Sequence, residues 1–190
     1  MHPSDFRQWA AAARRTVIGM VAQAPAAPTT DRFTVAPSPV GDLILTGTGD
    51  TLTGCYFTGT GHDTDPTAGL ARDDGSFQVV TEQLGEYFAG ERTAFDLPLA
   101  PSGTTFQLRV WEQLRTIPYG VTCSYADVAR AIGAGNGFRA VGLANGRNPI
   151  SIIVPCHRVI GADGSLTGYG GGIERKRFLL DLETGSLPFG

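Results

Sequence analysis

The stretch NPISIIVPCHRVIG, residues 148–161, organises everything around it. Ile150 to Val154 is a short apolar run rich in β-branched side chains. It reads as a buried strand that Pro155 terminates. The run delivers Cys156-His157-Arg158 into otherwise dry surroundings. A lone buried cysteine usually packs as an inert small hydrophobe, and Cys55 and Cys123 fit that reading. Cys156 differs, because an imidazole and a guanidinium stand beside it. Only the thiolate is nucleophilic, and positive neighbours favour it. Near neutral pH a free thiol is already a few per cent ionised, so full ionisation gains about one to two powers of ten. Positioning and assistance to the leaving group must supply the rest of any rate.

Upstream of this stretch the pattern is helical. Thr104 and Gln107 have capping-box spacing and open a helix with Phe106, Val110, Trp111 and Leu114 inward. Pro118-Tyr119-Gly120 follows as a stop. Ser124 begins a second helix with Asp127 in its first turn and Val128 and Ile132 inward, and Gly133 and Gly135 break it. Asn136 is placed to cap a third helix that runs to about Gly146. The segments 124–133 and 137–146 have helix-turn-helix dimensions, which many core helix pairs share. Downstream, a glycine-rich stretch from Gly161 to Gly172 leads into a last helix, about Ile173 to Glu183, with Phe178, Leu179 and Leu182 as its apolar face. The glycine patterns match no phosphate-binding fingerprint and read as turns.

The first half reads as strands and then a helix. Phe33–Val35, a turn at Ser38–Gly41, and Leu43–Leu45 form a hairpin. Gly49-Asp50 turns again into Leu52–Phe57. Residues 59–75 read as a loop. Phe77, Val80, Leu84, Tyr87 and Phe88 recur at helical spacing, with Gly90 as the stop. Pro98, Pro101 and Gly103 mark a domain boundary. At the N-terminus, Trp9, Ala13, Val17, Met20 and Val21 share a helical face, and APAAPTT (24–30) ends that helix. Arg14-Arg15 before a short apolar run faintly resembles an export signal. The run is about six residues, at or below the length such a region needs, so a helix is the better reading. The expected organisation is an Ala-rich helix and linker over 1–30, an α/β domain over 31–101 and a second domain over 102–190.

Bulk properties narrow the class. The chain has 190 residues, 42% of them hydrophobic and 17% charged, which suits a folded core and not a disordered chain. The net charge of -3 is uneven: residues 1–101 carry 6 Arg and 12 acidic residues, while 102–190 carry 8 Arg and Lys176 against 6. A polyanion would meet the second half. No apolar run is long enough to span a membrane. Three cysteines without a CxxC pair argue against a disulfide framework, and three scattered histidines form no zinc cluster.

Pro155-Cys-His-Arg158 within NPISIIVPCHRVIG, followed by LTGYGGG (166–172) and ERKRFLLDLE (174–183), resembles the O6-methylguanine-DNA alkyltransferase family, in its bacterial constitutive form. The similarity is strong from Thr104 to Glu183, looser over 31–100 and absent over 1–30. It implies an α+β fold: a small ribonuclease H-like sheet-plus-helix domain, then a mainly helical, winged-helix/helix-turn-helix-like DNA-binding domain. It implies repair by direct reversal, in which Cys156 irreversibly accepts the alkyl group from O6-alkylguanine. O4-alkylthymine is a further candidate substrate. By the same resemblance, His157 takes the thiol proton through a water and Glu183 orients His157. Tyr125 hydrogen-bonds N3 of the guanine, and Arg139 fills the place of the flipped nucleotide. Ala140 and Gly142 let the helix approach the minor groove closely. Asn148 is the hinge between that helix and the active-site turn, backbone groups of Cys156 and Val159 read the exocyclic amine, and Tyr169 walls the pocket. Gly170 stands where relatives have Ser or Ala. No cofactor and no metal are implied. Double-stranded DNA is the implied partner of a monomeric, cytoplasmic protein with no membrane association.

Other readings predict other observations. A Cys156-His157-Glu183 hydrolase would turn over small esters or amides without DNA, and would leave Arg139 and the helix pair unexplained. A non-enzymatic damage sensor lacks the acceptor cysteine that this chain carries at 156. Regulatory relatives carry an added cysteine-rich zinc domain, and residues 1–30 contain no cysteine.

Overall fold

The computed structural model describes residues 31–60 and 65–186. The helix expected near the N-terminus and the Pro/Ala linker after it lie outside those residues. The chain opens with β1 (Asp31–Ala36), β2 (Leu43–Thr48) and β3 (Thr51–Phe57), each antiparallel to the next. The turns are those the glycines suggested. Gly41 (φ 95°) donates its N–H to Ser38 O, and Gly49 (φ 59°) lies between β2 and β3. The expected loop over 59–75 contains a further short strand, β4 (Ala71–Arg72), which pairs parallel with β1, giving the order β3-β2-β1-β4. Two residues without hydrophobic alternation carried no strand signal.

Helix α1 (Gln78–Phe88) buries Val80, Leu84 and Tyr87. The proline-rich segment after it is not a free linker. Leu52 N–H donates to Pro98 O and Ala100 N–H to Leu52 O, which fastens 98–100 to β3.

Helix α2 (Thr105–Arg115) starts at a complete Thr104/Gln107 capping box and buries Val110, Trp111 and Leu114. Strand β5 (Cys123–Ser124) leads into α3 (Tyr125–Ala131), which has a second capping box from Ser124 and Asp127. Helix α4 (Phe138–Gly146) starts from Gly137. Asn136 does not cap it, and α4 has no side-chain cap. Trp111 Nε1 donates to Ala144 O at 2.8 Å and ties α2 to α4. Strand β6 (Val159–Ile160) pairs parallel with β5, and α5 (Ile173–Thr184) closes the fold, ending at Gly185 with φ 68°. One hydrophobic core runs through both halves, from Leu43, Leu45 and Phe57 to Trp111, Ile150 and Leu179. No described helix is long and apolar enough to cross a membrane.

Candidate active site

The expected strand over 150–154 is not a strand. Ile150 makes a single bridge with Cys55, and residues 151–154 turn tightly: Ile153 N–H donates to Ser151 O and Val154 N–H to Ile150 O. Ile152 has φ 71°, the one non-glycine residue with positive φ among those described, and it is fully buried. A β-branched residue is strained there. The surroundings hold it. Asn148 Oδ1 accepts from Ile150 N–H, and Asn148 Nδ2 donates to Val154 O at 2.8 Å, so one side chain closes the loop on itself. The β-branched run therefore reflects burial, not extension. Cys55 N–H donates to Pro149 O, and Ser151 N–H to Cys55 O, so β3 braces the loop from behind.

Cys156, His157 and Arg158 then form one turn of 3-10 helix, all three buried, rather than an extended continuation. The side chains diverge in role. Cys156 Sγ accepts from Asn148 Nδ2 at 3.0 Å. Arg158 turns away from the sulfur and grips Glu183: Nε lies 2.9 Å from Oε2, and Nη2 lies 2.9 Å from Oε1. Its Nη1 donates to Ile117 O at 2.6 Å. His157 Nε2 is 2.7 Å from Glu183 Oε1. Tyr87 Oη donates to the same oxygen at 2.8 Å, and Gly120 N–H donates to Oε2 at 3.0 Å. Gly120 has φ 71°, and a Cβ there would come within 2.9 Å of Glu183 O, so only glycine fits.

Burial would push the Glu183 carboxyl up, yet His157 and Arg158 hold it well below the ordinary carboxylate range. Burial lowers the His157 pKa despite Glu183. A neutral imidazole beside an ionised carboxylate donates its Nε2–H to that carboxylate, which leaves Nδ1 with the lone pair. Nδ1 is buried and has no protein partner. Burial raises the Cys156 thiol, opposed by the Asn148 hydrogen bond and the Lys176 ammonium. Lys176, not Arg158, is therefore the cation that favours the thiolate. It is fully buried on α5 and donates to Val159 O at 2.7 Å and Thr167 O at 3.0 Å, with Nζ 6.0 Å from the Tyr125 ring centre. Cys55 and Cys123 are both pushed up to about 12, chiefly by burial.

The structure gathers Cys156, Asn148, Tyr169 and Gly170 on one cavity of about 350 Å³, with Asn145 and Tyr56 also in its wall. Tyr125 accepts from Thr167 Oγ1 at 3.4 Å, which leaves its own O–H free to donate. Val159 is buried, and its carbonyl already accepts from Lys176; the Cys156 carbonyl accepts from Asn145 Nδ2 at 3.2 Å. The Cys156 carbonyl also accepts from Val159 N–H, so both of its lone pairs are already engaged. Arg139 and Ala140 stand exposed on α4 and do not line the cavity that holds Cys156, while Gly142 faces Tyr125. A Cβ at Gly170 would lie 3.4 Å from Gly146 O, so a side chain there would narrow the cavity mouth.

Lys176, Asn145, Tyr87 and the Arg158–Glu183 pairing were not legible beforehand. One signal existed for Lys176: it falls on the buried stripe of α5 with Leu179 and Glu183, three and seven residues on.

Two family models match the chain: the 6-O-methylguanine DNA methyltransferase ribonuclease-like domain over residues 32–101, and the DNA-binding domain of the same family over residues 105–185. A methylated-DNA--protein-cysteine methyltransferase of Mycobacterium tuberculosis is 55% identical over 151 residues, covering 80% of this chain and 91% of that protein. One from Methanosarcina acetivorans is 46% identical over 151 residues, covering 80% and 97%. The crystal structure of the M. tuberculosis O6-methylguanine methyltransferase superposes with a TM-score of 0.78 at 51% identity, covering 85% of this chain and 97% of that one. The M. tuberculosis OGT in complex with DNA superposes with a TM-score of 0.76 at 53% identity, covering 84% and 96%.

Proposed function

This chain belongs to the 6-O-methylguanine DNA methyltransferase family, and on that premise we propose that Cys156 is the residue that takes the alkyl group from O6-alkylguanine in DNA. The observation that carries the assignment is the chain of contacts from Glu183 through His157 to the 3-10 turn that bears Cys156. DNA is the protein's partner and alkyl transfer to cysteine its reaction. The residue roles, the minor-groove approach, the monomeric state and the cytoplasmic location are our reading, as is the division into domains at 31–101 and 102–190.

Glu183 stays ionised and fixes the His157 tautomer, so Nδ1 acts as the base for the thiol proton, through a water as the family resemblance implies. Asn148 and Lys176 stabilise the sulfur anion as it forms. The thiolate attacks the alkyl carbon, a C–S bond forms, and the carbon–O6 bond breaks with its electron pair passing to the guanine. Tyr125 donates to N3 and stabilises the departing anion. The target base must leave the duplex, because its O6 is out of reach in the stack. The outer face of α4 supports that step: Arg139 and Arg147 are exposed, and the helix carries no acidic residue. The thioether product offers water no good leaving group, so one protein molecule repairs one lesion.

The test is stoichiometry. With excess duplex carrying O6-methylguanine, lesion loss stops at one per protein molecule. Continued turnover with free Cys156 recovered would overturn the proposal and favour the hydrolase.

Lys176 gives a second test. Lys176→Met keeps the stem and removes the cation. The thiol then ionises at higher pH, and the pH–rate curve for alkyl transfer moves upward. At neutral pH the rate is expected to fall about tenfold, the effect of a shift of about one unit. A rate loss without any displacement of the pH profile would deny Lys176 this role.

A further inference from the structure

Helix α4 leaves two large apolar side chains in water, Phe138 at 46% exposure and Leu143 at 69%. Phe138 is the first residue of the helix and directly precedes Arg139. The Arg139 guanidinium carbon lies 5.7 Å from the Phe138 ring centre, within cation–π reach, so ring and cation project from the helix side by side. Around them the helix is thin, with Ala140 and Gly142 following; Arg139 is its only charge, and Arg147 caps its C-terminal end. A positive face without a carboxylate suits a phosphate-lined groove. Proteins that enter the minor groove insert apolar side chains between base steps and so unstack them. An aromatic ring stacks on any base, so such a wedge demands no sequence.

We propose that Phe138 is a second wedge beside Arg139: it enters the duplex with the arginine and stacks on the base pair bared when the target nucleotide leaves. The inference rests on the reading above that α4 is the element that meets the lesion. Arg139 holds the vacated place with hydrogen bonds, and Phe138 keeps the adjoining step from closing. Its contribution falls on unstacking and not on the chemistry at Cys156, so it appears only where a stack must be opened.

The test compares wild type, Phe138→Ala and Phe138→Trp on O6-methylguanine in a duplex and in the same strand unpaired, with 2-aminopurine beside the lesion reporting unstacking. F138A is expected to transfer from the duplex about tenfold more slowly, the scale of one lost base–aromatic stack. It should match wild type on the single strand and lose the rise in 2-aminopurine fluorescence, and F138W should restore both. A duplex rate for F138A within about twofold of wild type, a scale too small for a lost stack, overturns the proposal. So does an equal loss on both substrates. A change confined to self-association in sedimentation also overturns it and assigns the ring to a second protein copy. Failure of wild type on both substrates would instead remove the functional reading, and this inference with it.

Discussion

Replacing Glu183 with alanine is expected to cost about 3–5 kcal/mol of stability, the scale for breaking a buried ion pair by removing one partner. Arg158 and His157 would both be left buried without their anion, Tyr87 Oη would lose its acceptor, and Gly120 N–H would lose its cap. Denaturant unfolding measures this directly, and a loss below about 1 kcal/mol would mean the carboxylate behaves as an exposed charge. Glu183→Gln keeps the shape and one acceptor but also leaves Arg158 without its anion, so it should be destabilised less than Glu183→Ala and should slow transfer in the folded protein, because the His157 tautomer is no longer enforced.

The same cluster sets an acid limit. The Glu183 pKa is depressed in the folded protein, so its stabilisation is present above the ordinary carboxylate value near 4.3 and is lost as pH falls toward the depressed one. The His157 pKa is also lowered on folding. The unfolded chain therefore takes up a proton first, from about pH 6.5 downward, and stability falls in the same direction. Unfolding midpoints should drop on acidification from about pH 6.5 and steepen below about pH 4.5. Glu183→Gln should weaken the lower arm, part of which remains because, against burial, hydrogen bonds from Ser124 and Arg130 also depress Asp127, and should keep the upper one. A midpoint that is flat from pH 7 to pH 4, two values bracketing both ranges, would contradict this assignment of charge.

Cys156→Ala is expected to abolish alkyl transfer entirely while DNA binding persists. No other thiol can stand in, because Cys55 and Cys123 are buried and their ionisation is pushed up to about 12. The substitution is structurally mild. Asn148 loses one acceptor but keeps Val154 O and Ile150 O, so the loop around Ile152 stays closed. Methyl transfer and gel mobility on the lesion duplex check the two halves of this expectation. Residual transfer would place the acceptor elsewhere, and lost binding would show that the sulfur, not α4, organises the DNA contact.

Much of this arrangement could be read from local chemistry. The hairpins, the capping boxes at Thr104 and Ser124, and the helix pair follow from turn residues and apolar spacing, which act over a few positions. The misreadings lie where distant contacts override local preference. Ile150–Val154 has strand composition, but Asn148 and the backbone of Cys55 bend it into turns. Asn136 is a good cap by residue type, but the helix begins one residue too late to use it. Arg158 was expected to favour the thiolate as the neighbour of Cys156 in sequence. A 3-10 turn sends it to Glu183, and Lys176, twenty residues away in sequence, takes that part. Among the site residues, Glu183 itself was legible only through the family resemblance, since a carboxylate at the end of a helix is ordinarily a solvated charge.

Cys156 itself is expected to receive the alkyl group. The direct measurement is the peptide mass of the protein after reaction with a duplex carrying one O6-methylguanine. One added methylene is expected on the peptide that contains Cys156, and none on those with Cys55 or Cys123. A methylene on either of the other cysteines, or an unmodified protein after the lesion has gone, would contradict it.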